Sequence, residues 1–251
     1  MRVRGLLKLL PGFCVFSRKE ICRNPSSLTS PDWKPFFTKL ITLPHDIFNK
    51  RCWGIILGCR KLRVIKPEIR VLGVDDGIFT PRAKELVPVV GVVFRGGYWL
   101  DGVMHTKIEV DGFDATDKIT SMIKNSPHYK QLRVIMLDGV TFAGFNVVDI
   151  NKLNAETRLP VMAVTREKPN FEEIHAALKN LPKGEERWKA ILNAGEAFEV
   201  TCKNKSEKVY MQISGILKED AEKILKLTST RSNIPEALRV AHLIASGITA
   251  A

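Results

Sequence analysis

Two runs with apolar centres, RVIMLDG at 133–139 and LPVMAV at 159–164, stand one helix apart, and their spacing restricts the chain more than any other feature. A strand without polar alternation needs cover on both faces, and two such strands joined by a helix near 146–157 make a parallel βαβ unit. Upstream lie IRVLGV (69–74), ending in Asp75, Asp76 and Gly77, then VPVVGVVFR (87–95) and YWLDGVMHTKIEV (98–110). Gly96-Gly97 closes the second of these onto the third as a hairpin. Between this three-strand meander and the βαβ unit, DATDKITSMIKN sets Ile119, Met122 and Ile123 on one helical face. Helices near 170–180 and 185–194, a second hairpin (AFEVTC and KVYMQI), and helices near 218–227 and 234–247 complete the reading. Asn233 is expected to cap the last helix while Glu236 reaches back, with Pro235 between them.

This order of elements predicts an α/β chain: a ribonuclease H-like mixed sheet of order 3-2-1-4-5 with flanking helices and an added C-terminal hairpin and helices. In it the first and fourth strands are adjacent and parallel, so Asp75, Asp76 and Asp138 end at one edge, about 5 Å apart in backbone spacing. Ligands of parallel sheets bind at that edge. The segment EVDGFDATD starts there too and offers Asp111, Asp114 and Asp117. Asp75 and Asp138, with Asp76 and either Asp111 or Asp114, are the candidate ligands of Mg²⁺ or Mn²⁺, since hard oxygen donors suit these ions. Without a cation the like charges repel and one carboxylate takes up a proton. Turn and cap chemistry is the competing reading, because Asp76, Asp101, Asp111 and Asp138 each precede Gly and Asp114 precedes a helix.

Arg231, Ser232 and Asn233 precede a helix N-terminus and are candidate phosphate contacts, with plain capping as the alternative for Ser232 and Asn233. His105, His175 and His242 are read as structural, His242 lying among Leu238, Ala241 and Ala245. No GxSxG, Walker-type loop, HExxH or GxGxxG occurs.

The formal charge of +12 invites a polyanion partner, but it is unevenly placed. Residues 1–66 hold 14 Lys or Arg against three acids, a net of +11, and the remaining residues carry +1. This stretch has no sustained helical or strand period and is read as a poorly ordered basic extension to a domain spanning 67–251. A nucleic-acid arm, a targeting segment and an added segment without function all remain open for it, the last preferred. Its Cys14, Cys22, Cys52 and Cys59 lack CxxC spacing, and a lone Cys202 in the body argues against a secreted disulfide framework. Lys8 and Pro11 interrupt the first apolar run, and no run approaches the roughly 18 apolar residues of a membrane span. A cytoplasmic protein with no membrane association is expected.

VLGVDDG, VDGFDATD, VIMLDGVTFAGFNVVD and NIPEALRVAHLIA together resemble an archaeal family, endonuclease dU, related to endonuclease V. The resemblance covers about 185 residues, from IKPEIRVLGVDDG to NIPEALRVAHLIASGI, and leaves out residues 1–66. It implies a ribonuclease H-like, divalent-metal-dependent endonuclease acting on DNA with deaminated bases, deoxyuridine in particular. By that analogy Asp75 and Asp138 match metal ligands of endonuclease V. The sequence departs from endonuclease V in having VTFAGFN after Asp138-Gly139, and in lacking its tyrosine-proline wedge and intervening glutamate, for which Asp111 or Asp114 substitutes. DNA, or RNA, is the expected partner, with no obligate protein partner. A catalytically silent nucleic-acid-binding protein and a small-molecule phosphate hydrolase are the rival readings.

Overall fold

The computed structural model describes residues 64–201 and 208–250. The extension expected over 1–66 lies outside them except for residues 64–66, and so do all five cysteines. Strand β1 (Arg70–Asp76) is buried throughout its middle and pairs antiparallel with β2 (Leu86–Arg95), which continues through the Gly96-Gly97 turn into β3 (Trp99–Glu109). Helix α1 (Ala115–Lys124) leads to β4 (Val134–Asp138), which pairs parallel with β1, and β7 (Val161–Thr165) pairs parallel with β4. Between these two lie a small hairpin, β5 (Thr141–Phe142) and β6 (Asn146–Val147), and helix α2 (Ile150–Thr157). Helices α3 (Phe171–Leu178) and α4 (Gly184–Asn193), strands β8 (Phe198–Thr201) and β9 (Lys208–Ser214), and helices α5 (Lys218–Thr228) and α6 (Glu236–Thr249) follow.

The main sheet runs β3-β2-β1-β4-β7-β9-β8, so the expected 3-2-1-4-5 order holds with β7 as its fifth strand. The C-terminal hairpin extends it, β9 pairing antiparallel with β7. Two local expectations differ. The helix expected near 146 begins at Ile150, because the Asp149 carboxylate accepts the amides of Asn151 and Lys152 at 2.9 and 3.0 Å and starts the helix there. Preceding residues form the β5–β6 hairpin instead. The last helix starts after Pro235, whose extended backbone (φ −53°, ψ 137°) excludes a helix from Asn233. Glu236 does reach back, but to the Arg231 amide at 3.2 Å.

Strand pleat decides which face each residue serves. Val71 on β1 and Val134 and Met136 on β4 join the core under α5 and α6, while Leu72, Val74, Ile135 and Leu137 join the core under α1 and α2. Gly73 therefore faces α6. There the backbones meet: a Cβ on Gly73 would lie 2.3 Å from the Ala237 carbonyl carbon. Ala237, Ala241 and Ala245 are fully buried and recur every fourth residue, giving α6 the flat stripe this approach requires. A second close point comes at Gly77, whose Cβ would meet Thr249 and the Ala245 carbonyl. Four strand residues span about 13 Å and eight helix residues about 12 Å, so α6 and β1 run side by side in register. No helix among the described residues is long and apolar enough to cross a membrane.

Because Gly73 meets backbone rather than a movable side chain, Gly73→Ala should lower stability by roughly 2 kcal/mol or more. Gly247→Ala, on the open face of the same helix, should raise it by roughly 0.5 kcal/mol. Chemical denaturation of the two variants checks both signs.

Candidate metal centre

In the β1–β4 register Val74 sits opposite Leu137, so the next residues along, Asp75 and Asp138, leave the sheet side by side. By pleat they face α6, as Val71, Gly73, Val134 and Met136 do. The helix contributes His242, which lies between the Ala237 contact at Gly73 and the Ala245 contact at Gly77 and so arrives beside Asp75. His242 Nδ1 is 2.9 Å from Asp75 Oδ2, and one donor atom each from Asp75, Asp138 and His242 lies within 4.8 Å of the other two. Asp75 is nearly enclosed, its side chain 7% exposed, whereas the His242 side chain is 57% exposed, so the cluster opens to solvent along α6.

Burial drives the electrostatics. It raises the Asp75 carboxyl to about 8 from 3.8, with the charges of Asp138 and Asp76 pushing the same way. Burial also raises Asp138, against the pull of the Arg166 guanidinium and of His242. Two carboxyls held side by side with raised proton affinity are a site with too little positive charge, which a divalent cation would supply. The donor set of two carboxylates and one imidazole fits such an ion.

Asp76 belongs to the opposite face. Its Oδ2 accepts the Ala143 amide at 2.7 Å, its own amide donates to Asp75 Oδ1 at 2.9 Å, and burial raises its carboxyl against the Ala143 hydrogen bond. It is thus a brace behind Asp75 and not one of the three clustered donors.

Asp111 and Asp114, offered above as alternatives for a further acid, also fall outside the cluster. Asp111 Oδ1 accepts the Phe145 amide at 2.9 Å, and its amide donates to the Ala143 carbonyl at 2.9 Å. Asp114 Oδ1 accepts from Asn146 Nδ2 at 2.7 Å and from the Glu109 amide at 3.2 Å. Buried Asn146 in turn accepts the Ala115 amide at 3.0 Å, so the first turn of α1 is capped from the β5–β6 hairpin. Both aspartates thus hold the 109–114 loop to the 143–146 turn.

Arg231, Ser232 and Asn233 are likewise placed elsewhere. Thr230 Oγ1 donates to the Gly97 carbonyl at 3.0 Å, putting this turn beside the β2–β3 connection, at the sheet edge opposite Asp75. Ser232 Oγ donates to the Ile234 carbonyl at 3.1 Å, and Asn233 is buried. The Arg231 amide, in the turn before the last helix, already has an anion, the Glu236 carboxylate, which Arg239 pairs at 2.8 Å. A phosphate has no open amide of that residue to bind.

Two residues were missed. His242, read above as structural among Leu238, Ala241 and Ala245, stands one step, about 100° of helix rotation, off that alanine stripe. Arg166, exposed just past the end of β7 next to Asp138, gave no signal beyond being basic at the carboxyl end of an apolar strand.

The family pattern described as endonuclease dU matches residues 67–249. A UPF0215 protein of Methanosarcina acetivorans is 56% identical over 184 residues, covering 73% of this chain and 92% of its own length. A second UPF0215 protein, from Methanopyrus kandleri, is 51% identical over 189 residues, with 75% and 95% covered. Among solved structures, a protein of unknown function from Archaeoglobus fulgidus superposes with a TM-score of 0.65 at 40% identity, covering 72% of this chain and 98% of its own. Endonuclease V of Bacillus subtilis superposes at 0.50 with 12% identity, covering 81% and 93%, which shows the shared ribonuclease H-like fold. By the sequence match over residues 67–249, the chain belongs to the endonuclease dU family.

Proposed function

We propose that the protein is a divalent-metal-dependent endonuclease that hydrolyses phosphodiester bonds in DNA containing deaminated bases, with deoxyuridine as the first substrate to test. The observation that carries this reading is the convergence of Asp75, Asp138 and His242 within 4.8 Å at the carboxyl edge of β1 and β4. Family membership supports a nuclease; the substrate and the metal are our inference. Asp75 and Asp138 would hold Mg²⁺ or Mn²⁺, with the His242 imidazole favouring the softer Mn²⁺. When bound, the ion supplies a water of lowered pKa and counter-charge for the departing oxygen.

The chain's own residues do the rest. Asp76 and the Ala143 amide fix the backbone from which Asp75 projects. Arg166, facing Asp138 and exposed, is placed to bind a phosphate oxygen of the substrate. Arg82 and Lys84 in the loop after β1, and Lys168 in the loop after β7, are exposed near the same edge and can follow a DNA backbone. His242, open to solvent beside Asp75, lies where a proton or a ligand bond is exchanged.

A duplex with one uracil should be cut in Mn²⁺ or Mg²⁺ and left whole in chelator, with undamaged duplex cut far more slowly. Asp138→Asn should lower the rate by about 10² or more while the protein stays folded. Inertness of the wild type on uracil-containing, undamaged and RNA substrates alike would sink the enzyme reading. Binding that needs no metal and survives Asp75→Asn would instead favour a silent nucleic-acid-binding protein.

The raised carboxyl makes a separate prediction about pH. Between 3.8 and about 8 the folded metal-free protein keeps a proton on Asp75 that the unfolded chain has released. Stability from this group is therefore lost as pH rises through that window and changes no further above it. In chelator, the melting-temperature advantage of Asp75→Asn over wild type should grow from pH 5 to pH 8. Added Mn²⁺ should cancel the trend by raising the wild type most at pH 8. A difference independent of pH would show that the carboxyl ionises freely.

A further inference from the structure

Helix α4 buries a guanidinium where two loops cross. Arg187 is 2% exposed, and its hydrogen bonds go to backbone carbonyls: those of Asp111 and Phe145, that of Gly112 at 2.8 Å and that of Pro182 at 3.3 Å. The Phe113 ring covers the other side, its centroid 3.9 Å from the guanidinium carbon. A desolvated cation bound mainly to carbonyl dipoles is a poor source of stability compared with an apolar side chain of similar size. What the planar fork of donors does supply is geometry, since it addresses carbonyls from both loops at once.

Those loops need holding. Asp111 (φ 50°) and Ala143 (φ 42°) adopt left-handed backbone conformations that disfavour a Cβ, and they bond to each other through the Asp111 amide and the Ala143 carbonyl. Such strain persists only where surrounding contacts over-determine it, and it gathers at functional sites. The path from here to the carboxylates is short and continuous. Arg187 fixes Asp111 and Phe145, Asp111 fixes Phe145 and Ala143, the Ala143 amide holds Asp76 Oδ2, and the Asp76 amide holds Asp75 Oδ1.

We propose that Arg187 is a positioning residue for the Asp75–Asp138–His242 centre: by clamping the 111–113 loop to the 143–145 turn it keeps the Ala143 amide on Asp76 and so sets the direction of Asp75. The inference rests on the function proposed above for the consequence in catalysis, but the clamp itself is measurable without it. Phe113, fixed on the guanidinium and half exposed, makes the outer wall of the same clamp.

The test compares Arg187→Met and Arg187→Lys with the full-length wild type in four measurements: melting temperature, amide hydrogen exchange at Ala143, Mn²⁺ affinity by calorimetry, and kcat and KM on uracil-containing duplex. With Met, Ala143 exchange should quicken more than tenfold, Mn²⁺ affinity should fall about tenfold, and kcat should fall at least tenfold with KM within about threefold. Lys keeps the charge but loses the fork, and should recover part of each. Should the Met variant fail to fold, the Lys variant carries the comparison. A lower melting temperature with wild-type Mn²⁺ affinity and wild-type kcat per folded molecule would reduce Arg187 to a structural residue and overturn the proposal. So would unchanged Ala143 exchange. If the wild type cuts nothing, the nuclease reading fails on its own, and exchange and Mn²⁺ affinity still decide the clamp.

Discussion

With no Cβ on Gly73, α6 rests on β1 backbone against backbone, and that contact governs what the centre can be. A helix held at side-chain distance would ride several ångströms farther out, carrying His242 beyond reach of Asp75. Gly73 and Gly77 on the strand and Ala237, Ala241 and Ala245 on the helix together fix both separation and register. The 2.9 Å approach of His242 Nδ1 to Asp75 Oδ2 follows from this packing. The site is consequently tied to the core: stability and geometry share the same glycines.

Much of this was legible in the residues, and what was not has identifiable causes. Apolar strands ending in Asp give β1, β4 and their shared edge directly, because full burial forces the parallel arrangement. Strand pleat then separates Asp75 from Asp76, a distinction the sequence already contained: Val71, Gly73 and Asp75 share one face and Leu72, Val74 and Asp76 the other. His242 was obscured because it is 167 residues from Asp75, and only the packing partner of the alanine stripe makes it meaningful. Asp111 and Asp114 follow a strand as candidate acids do, but their carboxylates accept hydrogen bonds from Phe145, Asn146 and Glu109. Gly112 and Gly144 were the available signal. Side chains there would strike Asn146 Nδ2 at 2.9 Å and Asp111 Oδ1 at 2.4 Å, the contacts by which the two loops interlock.

The carboxylates themselves argue for a positive ligand. Folding sets Asp75, Asp76 and Asp138 together with burial raising the proton affinity of each, and the pull of Arg166 and His242 on Asp138 offsets this only in part. On the function proposed above, a divalent ion would displace the proton that burial favours on Asp75, and the same burial would strengthen the hold of the carboxylates on the metal.

Charge outside the centre has to be judged locally as well. Since the chain's +12 resides almost wholly in residues 1–66, residues 67–251 carry a net of only +1 and cannot draw a polyanion by their net field. The loops leaving β1 and β7 nevertheless expose Arg82, Lys84, Arg166 and Lys168 around a carboxylate floor. Cations at the rim and acids at the base would hold a phosphate backbone over the centre only when a metal neutralises the base. On the function proposed above, substrate and ion would bind cooperatively through one electrostatic arrangement, each removing a repulsion that opposes the other.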